Sequence, residues 1–138
     1  MEDRQKLEQM VGELNQLQQQ GETISQQIEQ LNVSLTDVRS AMEAVKGIKG
    51  ATGKETLIPI GAGCFITTEL KSEDIIVGVG SDVAIKRSRE ETEETLKKDQ
   101  EEVESLIKTL TEQLQKINDY IKEKRPEVEK LMKEQGVQ

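Results

Sequence analysis

The chain has 138 residues, a net charge of −8, one phenylalanine (Phe65), one tyrosine (Tyr120), and no tryptophan or histidine. A compact domain of this size draws much of its core bulk from aromatic side chains, so the composition argues against an ordinary globule. The absence of histidine removes imidazole acid–base catalysis, histidine metal ligation and serine–histidine nucleophilic chemistry. The expectation is an extended, helix-rich assembly protein that is not an enzyme and needs no cofactor or metal.

Residues 1–46 and 89–138 each carry four more acidic than basic side chains, and the stretch between them is balanced. No segment offers the basic footprint that a phosphate backbone needs, so no nucleic-acid partner is expected. The apolar runs are far shorter than a membrane span, and residues 1–9 are polar and mixed in charge, unlike a signal peptide. The single cysteine, Cys64, cannot form an internal disulfide. Together these features predict a cytoplasmic protein without a membrane partner. In that setting the glycosylation triplet Asn32-Val33-Ser34 is read as chance.

The first predicted element, within residues 1–48, is a coiled-coil helix. Leu7, Met10, Leu14, Leu17, Gly21, Ile24, Ile28, Leu31, Leu35, Val38, Met42 and Val45 alternate spacings of three and four, and only Gly21 is not apolar. Polar residues fill the intervals, which marks a narrow coiled-coil seam rather than the broader stripe of a helix on a globular core. Gly47, Gly50 and Gly53 end it.

Residues 49–87 change to short β-rich runs at 56–60, 64–70, 75–79 and 83–86. Gly61-Ala62-Gly63, Ser72-Glu73-Asp74 and Gly80-Ser81-Asp82 separate them as turns, giving two β-hairpins. Isolated hairpins are marginal in water and leave unpaired edges. The segment is therefore expected to be completed by other subunits through Ile58, Ile60, Phe65, Ile66, Ile75, Val77, Val79, Val83 and Ile85.

Residues 88–138 form the second coiled-coil helix. Its seam runs through Leu96, Gln100, Val103, Ile107, Leu110, Leu114, Ile117, Ile121, Lys124, Val128 and Leu131, with Gln100 and Lys124 as polar interruptions. Ser88 is the expected N-cap, with Glu91 three residues on, and the acidic run 90–94 suits the positive end of the helix dipole. The two seams are nearly equal in length, about 60 Å each at ~1.5 Å per residue. The fold class is α+β: a long antiparallel coiled-coil hairpin with two β-hairpins inserted between its helices.

Weak points gather toward the outer ends of the helices. Gly12 and Gly21 cost about 1 kcal/mol each relative to alanine, and Pro126 can cost ~3 kcal/mol inside a helix. Lys124 interrupts the seam nearby. Fraying there would expose Leu7, Met10, Val11 and Leu14 on one helix and Val128, Leu131 and Met132 on the other, adaptable apolar side chains suited to varied partners.

Other patterns carry less. Residues 47–54 end in Gly-Lys but have Ile48 where a phosphate loop needs glycine and Glu55 where it needs a hydroxyl. Gly61-Ala62-Gly63 and Gly78-Val79-Gly80 lack the third glycine of a dinucleotide fingerprint. The carboxylates of 90–94 read as a solvated helix start rather than a metal site. Cys64 has no activating neighbour in sequence and reads as a small buried residue.

The segment Gly53-Lys54-Glu55-Thr56-Leu57-Ile58-Pro59-Ile60-Gly61, then Cys64-Phe65-Ile66, then Ile75-Ile76-Val77-Gly78-Val79-Gly80, set between equal coils, resembles the prefoldin family. The likeness is to its alpha class, which has two hairpins where the beta class has one, in the archaeal form. The chain departs from that pattern at Phe65, at Val83 and Ala84, and at Lys86. The resemblance implies two alpha-class and four beta-class subunits whose hairpins close a double β-barrel. It further implies ATP-independent capture of unfolded polypeptides at the coil tips and delivery to a group II chaperonin. It moves the outer apolar residues from mere seam ends to client-binding tips. The alternative is a structural or tethering coiled coil whose β segment sets only the oligomeric state.

Overall fold

The computed structural model describes residues 2–136. In chain order it contains α1 (Glu2–Gly47), β1 (Glu55–Gly61), β2 (Cys64–Glu69), β3 (Ile75–Gly80), β4 (Val83–Arg87) and α2 (Arg89–Glu134). The strands form two separate antiparallel pairs, β1–β2 and β3–β4. The α+β architecture expected from the sequence is the one observed, and every strand limit lies within one residue of its expected position. Contacts divide the chain into two compact units, one of residues up to Ser34 with those from Val103 on, the other from Leu35 to Glu102.

In the first unit the two helices pack side by side and run antiparallel. The Tyr120 hydroxyl meets Glu13 at 2.9 Å, whereas Gly21, two turns further along α1, lies against Leu114 and Ile117, earlier in α2. Leu7 and Val128 are buried in this unit, at 6% and 8% exposure. The other apolar seam residues, such as Leu14, Ile24, Ile107 and Ile121, are half-buried. That is the level a single two-helix seam reaches, because each helix keeps most of its surface wet.

The expected weak points do not interrupt the helices. Gly12 and Pro126 are exposed, and α2 continues past Pro126 to Glu134. The missing proline N–H frees one carbonyl toward solvent instead of breaking a buried turn. Lys124 is half-buried and holds its ammonium 3.6 Å from Glu127 and 5.8 Å from the Tyr120 ring centroid. Its aliphatic stem thus fills the interrupted seam position while the charge stays wet. Both helices are continuous through these positions, with Leu7 and Val128 packed.

The second unit is organised around both hairpins. The β1–β2 register pairs Ile58 with Ile66 and Pro59 with Phe65, then shifts so that Gly61 faces Cys64. The β3–β4 register pairs Val77 with Ile85 and Gly78 with Ala84, then shifts so that Gly80 faces Val83. Each hairpin therefore carries one bulged residue, Ile60 or Val79, just before a two-residue turn. The turns Ala62-Gly63 (φ 52° and 76°) and Ser81-Asp82 (φ 51° and 61°) have positive φ at both positions. This is the type I′ geometry that matches strand twist. The two hairpins are the same structural unit, repeated with an offset of 19 residues.

At the helix ends, Gly53 N–H donates to the Leu70 carbonyl (2.8 Å) and Leu70 N–H to that of Lys54 (3.1 Å), lengthening the first hairpin. Ser88 caps α2 as expected: its Oγ accepts the Glu91 N–H at 3.1 Å. Leu35, Met42 and Val45 of α1 and Arg89 and Thr92 of α2 are buried in this unit.

Candidate functional site

The apolar surface of the hairpins follows from strand alternation with no second layer on either sheet. Thr56, Ile58, Ile66 and Thr68 share one face of β1–β2, and the two threonine hydroxyls meet at 2.7 Å. Leu57, Pro59 and Phe65 share the other. On β3–β4, Ile75, Val77 and Ile85 share one face and Ile76, Gly78 and Ala84 the other. Of the residues expected to join subunits, Ile58, Ile60, Phe65, Ile66, Val79, Val83 and Ile85 are exposed, and Ile75 and Val77 are half-buried.

Sequence reasoning missed Leu57 and Ile76, which are 66% and 72% exposed. Their alternation with Ile58, Val77 and Ile75 was the available signal, since a strand apolar on both faces expects cover on both. Cys64 corrects a second expectation. It is exposed, not buried, and stands as the first residue after the turn of its hairpin. Val33 and Leu106, on the helices of the first unit, are also exposed and lie outside the heptad seams.

The residues named as tips fall in the first unit. Leu7 and Val128 are buried, while Met10, Val11, Leu14, Leu131 and Met132 are half-buried. A groove of about 380 Å³ opens there, lined by Lys6, Met10, Glu13, Leu14, Tyr120, Lys124 and Glu127. The hydrogen bond to Glu13, then burial and the Glu13 charge, raise the Tyr120 pKa above its ordinary value, and Lys124 opposes them. On the opposite flank of the same seam a groove of about 320 Å³ is lined by Gly21, Leu114, Ile121 and a polar rim that includes Glu22 and Arg125.

A densely charged cluster with a buried member lies in the second unit. Arg89, 6% exposed, donates from Nη1 to Glu93 at 2.7 Å, meets Glu90 at 3.4 Å, and sets its Nε 3.9 Å from Glu73. The hydrogen bond to Glu93 raises its pKa, with desolvation opposing and the charges of Glu90, Glu93 and Glu73 adding. Among the described residues no group of three acidic or cysteine side chains could hold a metal, and no helix is long and apolar enough to cross a membrane.

The fold and its uncovered hairpins are those of a subunit rather than a self-sufficient domain, and sequence comparison assigns the subunit. The prefoldin subunit family matches residues 17–134. Prefoldin subunit alpha of Methanosphaera stadtmanae is 80% identical over 138 residues, covering all of both chains. That of Methanobrevibacter smithii is 38% identical over 97 residues, covering 70% of this chain and 66% of its own. Among solved structures, a chain of the filamentous PFD from Methanocaldococcus jannaschii aligns with a TM-score of 0.65 over 80% of this chain and 93% of its own. Identity is 17%, a likeness of fold. The chain belongs to the prefoldin family, in its archaeal alpha class, and the family is one of chaperones.

Proposed function

We propose that this chain is the alpha-class subunit of a hetero-hexamer, two alpha with four beta-class prefoldin subunits. In this reading it works in the cytoplasm, captures non-native polypeptides without ATP and passes them to a group II chaperonin. The observation that carries the assembly is the pair of hairpins, apolar on both faces and exposed, Phe65 at 59% and Ile76 at 72%. Strands from neighbouring subunits would pair the open edges and cover those faces. The boundaries proposed with it are coil at 1–48 and 88–138 and an oligomerisation segment at 49–87.

Capture is assigned to Leu7, Met10, Val11, Leu14, Val128, Leu131 and Met132. Five of these are half-buried and reachable on the packed coil, whereas Leu7 and Val128 become available only when its end opens. Local opening of a helix end is among the least costly motions of a fold. Changing Leu7, Met10, Leu131 and Met132 together to serine in the assembled hexamer tests this. The expected result is an intact hexamer that no longer suppresses aggregation of an unfolded model protein in the absence of nucleotide. Unchanged suppression by an intact hexamer would sink the assignment. Burial of Leu7 and Val128 is the observation that favours the second reading, a structural tether, which predicts that the parent assembly does not suppress aggregation either.

A further inference from the structure

Arg89 occupies the first position of α2, where a cation opposes the helix dipole. It is nonetheless buried and surrounded by three carboxylates, two from its own helix (Glu90, Glu93) and one, Glu73, from the segment joining the hairpins. The same Glu73 oxygen, Oε1, accepts the Gly50 N–H at 2.6 Å. Gly50 belongs to the turn that leaves α1, where it takes a φ of 72°. One carboxylate thus links the exit of α1, the joint between the hairpins and the entry of α2. Two neighbouring bonds fix the joint further: Asp74 N–H donates to Ser72 Oγ at 3.0 Å, and Thr92 Oγ1 donates to the Ser88 carbonyl at 2.9 Å.

We propose that Glu73 and Arg89 are positioning residues of the assembly surface: their shared clamp sets the orientation in which the two hairpins meet partner strands. Two observations carry this. The hairpins form separate sheets with no strand pairing between them, so the segment that joins them bears on their mutual orientation. Arg89 is buried at the start of α2 with its guanidinium bonded to Glu93 of its own helix, while its Nε, which makes no hydrogen bond, faces the Glu73 carboxylate at 3.9 Å, so a charge contact ties the start of α2 to the joint. The inference rests on the proposed hairpin-mediated assembly.

The test uses the full chain with its beta-class partner subunit and three variants, Arg89→Met, Arg89→Lys and Glu73→Gln. Glu73→Gln keeps an acceptor for Gly50 and removes only the charge. The chain alone is followed by helical circular dichroism and by hydrogen exchange of the Gly50 amide and both hairpins. The mixture is followed by mass and by titration of assembly. The expected result is unchanged helix content, faster exchange at Gly50 in Arg89→Met, and at least tenfold weaker assembly for Arg89→Met and Glu73→Gln. Arg89→Lys should recover part of the loss, which a role in bulk stability alone would not require. Assembly and exchange equal to the parent in both Arg89→Met and Glu73→Gln would overturn the inference. If the parent chain itself does not assemble, the proposed function fails. The clamp is then still decided by Gly50 exchange, where unaltered protection in Arg89→Met contradicts it.

Discussion

Tyr120 shows how one side chain couples the two helices of the coil. Its hydroxyl donates to Glu13, 107 residues away in sequence, and its pKa is raised chiefly by that bond. A group with a raised folded-state pKa contributes its full stabilisation below the unfolded pKa and loses it as pH rises through the folded value. Coil stability should therefore be flat across neutral pH in this respect and fall only in the alkaline range above the ordinary tyrosine pKa. Tyr120→Phe should remove that alkaline step, read as the thermal midpoint against pH, with tyrosine absorbance reporting the ionisation. A second residue-scale strain lies at Ala62, held at φ 52° in a type I′ turn. The left-handed conformation costs an ordinary residue roughly 1–2 kcal/mol. Ala62→Asn, which places the preferred residue before Gly63, should stabilise the first hairpin by about 1 kcal/mol, measured by hydrogen exchange of its cross-strand amides. The contact of Tyr120 and the exposure of Cys64 could not be read from the chain. Tyr120 stands outside the seam and its partner depends on which residues the antiparallel register brings opposite it, and the exposure of Cys64 depends on what packs over β2.

At the scale of elements, the heptads carried the helices and period-two alternation carried the strands, because each pattern has one geometry that buries it. What they did not carry was the severity of the interruptions. Gly21 lies in the seam, yet a Cβ there would meet Leu114 Cδ1 at 3.6 Å and Ile117 Cγ2 at 3.7 Å, ordinary contact distances. The glycine is not imposed by close helix approach. Gly21→Ala should raise coil stability by about 1 kcal/mol, from helix propensity with a further share from the added apolar contact. The check is the shift in thermal midpoint of the helical signal, and a drop would mean that the helices approach more closely at this point. Arg89 was illegible for a related reason: a basic residue opening an acidic helix reads as a minor departure until the chain path brings Glu73 beside it. The matching bulge and turn of the two hairpins were partly legible, since Gly61 and Gly80 stand at equivalent places 19 residues apart.

At the scale of the molecule, the shortage of aromatics and the excess of charge have a structural counterpart. The coil needs only a narrow aliphatic seam, and the hairpins leave their apolar residues outside. Family membership and the fold agree on an archaeal alpha-class prefoldin subunit. The assembly is the central claim, and it rests on what the hairpins leave uncovered. The most direct measurement is the mass of the chain mixed with a beta-class prefoldin subunit, by native mass spectrometry, for the parent and for a variant with Leu57, Phe65, Ile76 and Val83 all changed to serine. The account predicts a discrete complex of two alpha and four beta subunits for the parent, and none for the variant although its helical signal is retained. A complex that forms equally well with the four serines, or a parent chain that stays alone beside its partner, would contradict it.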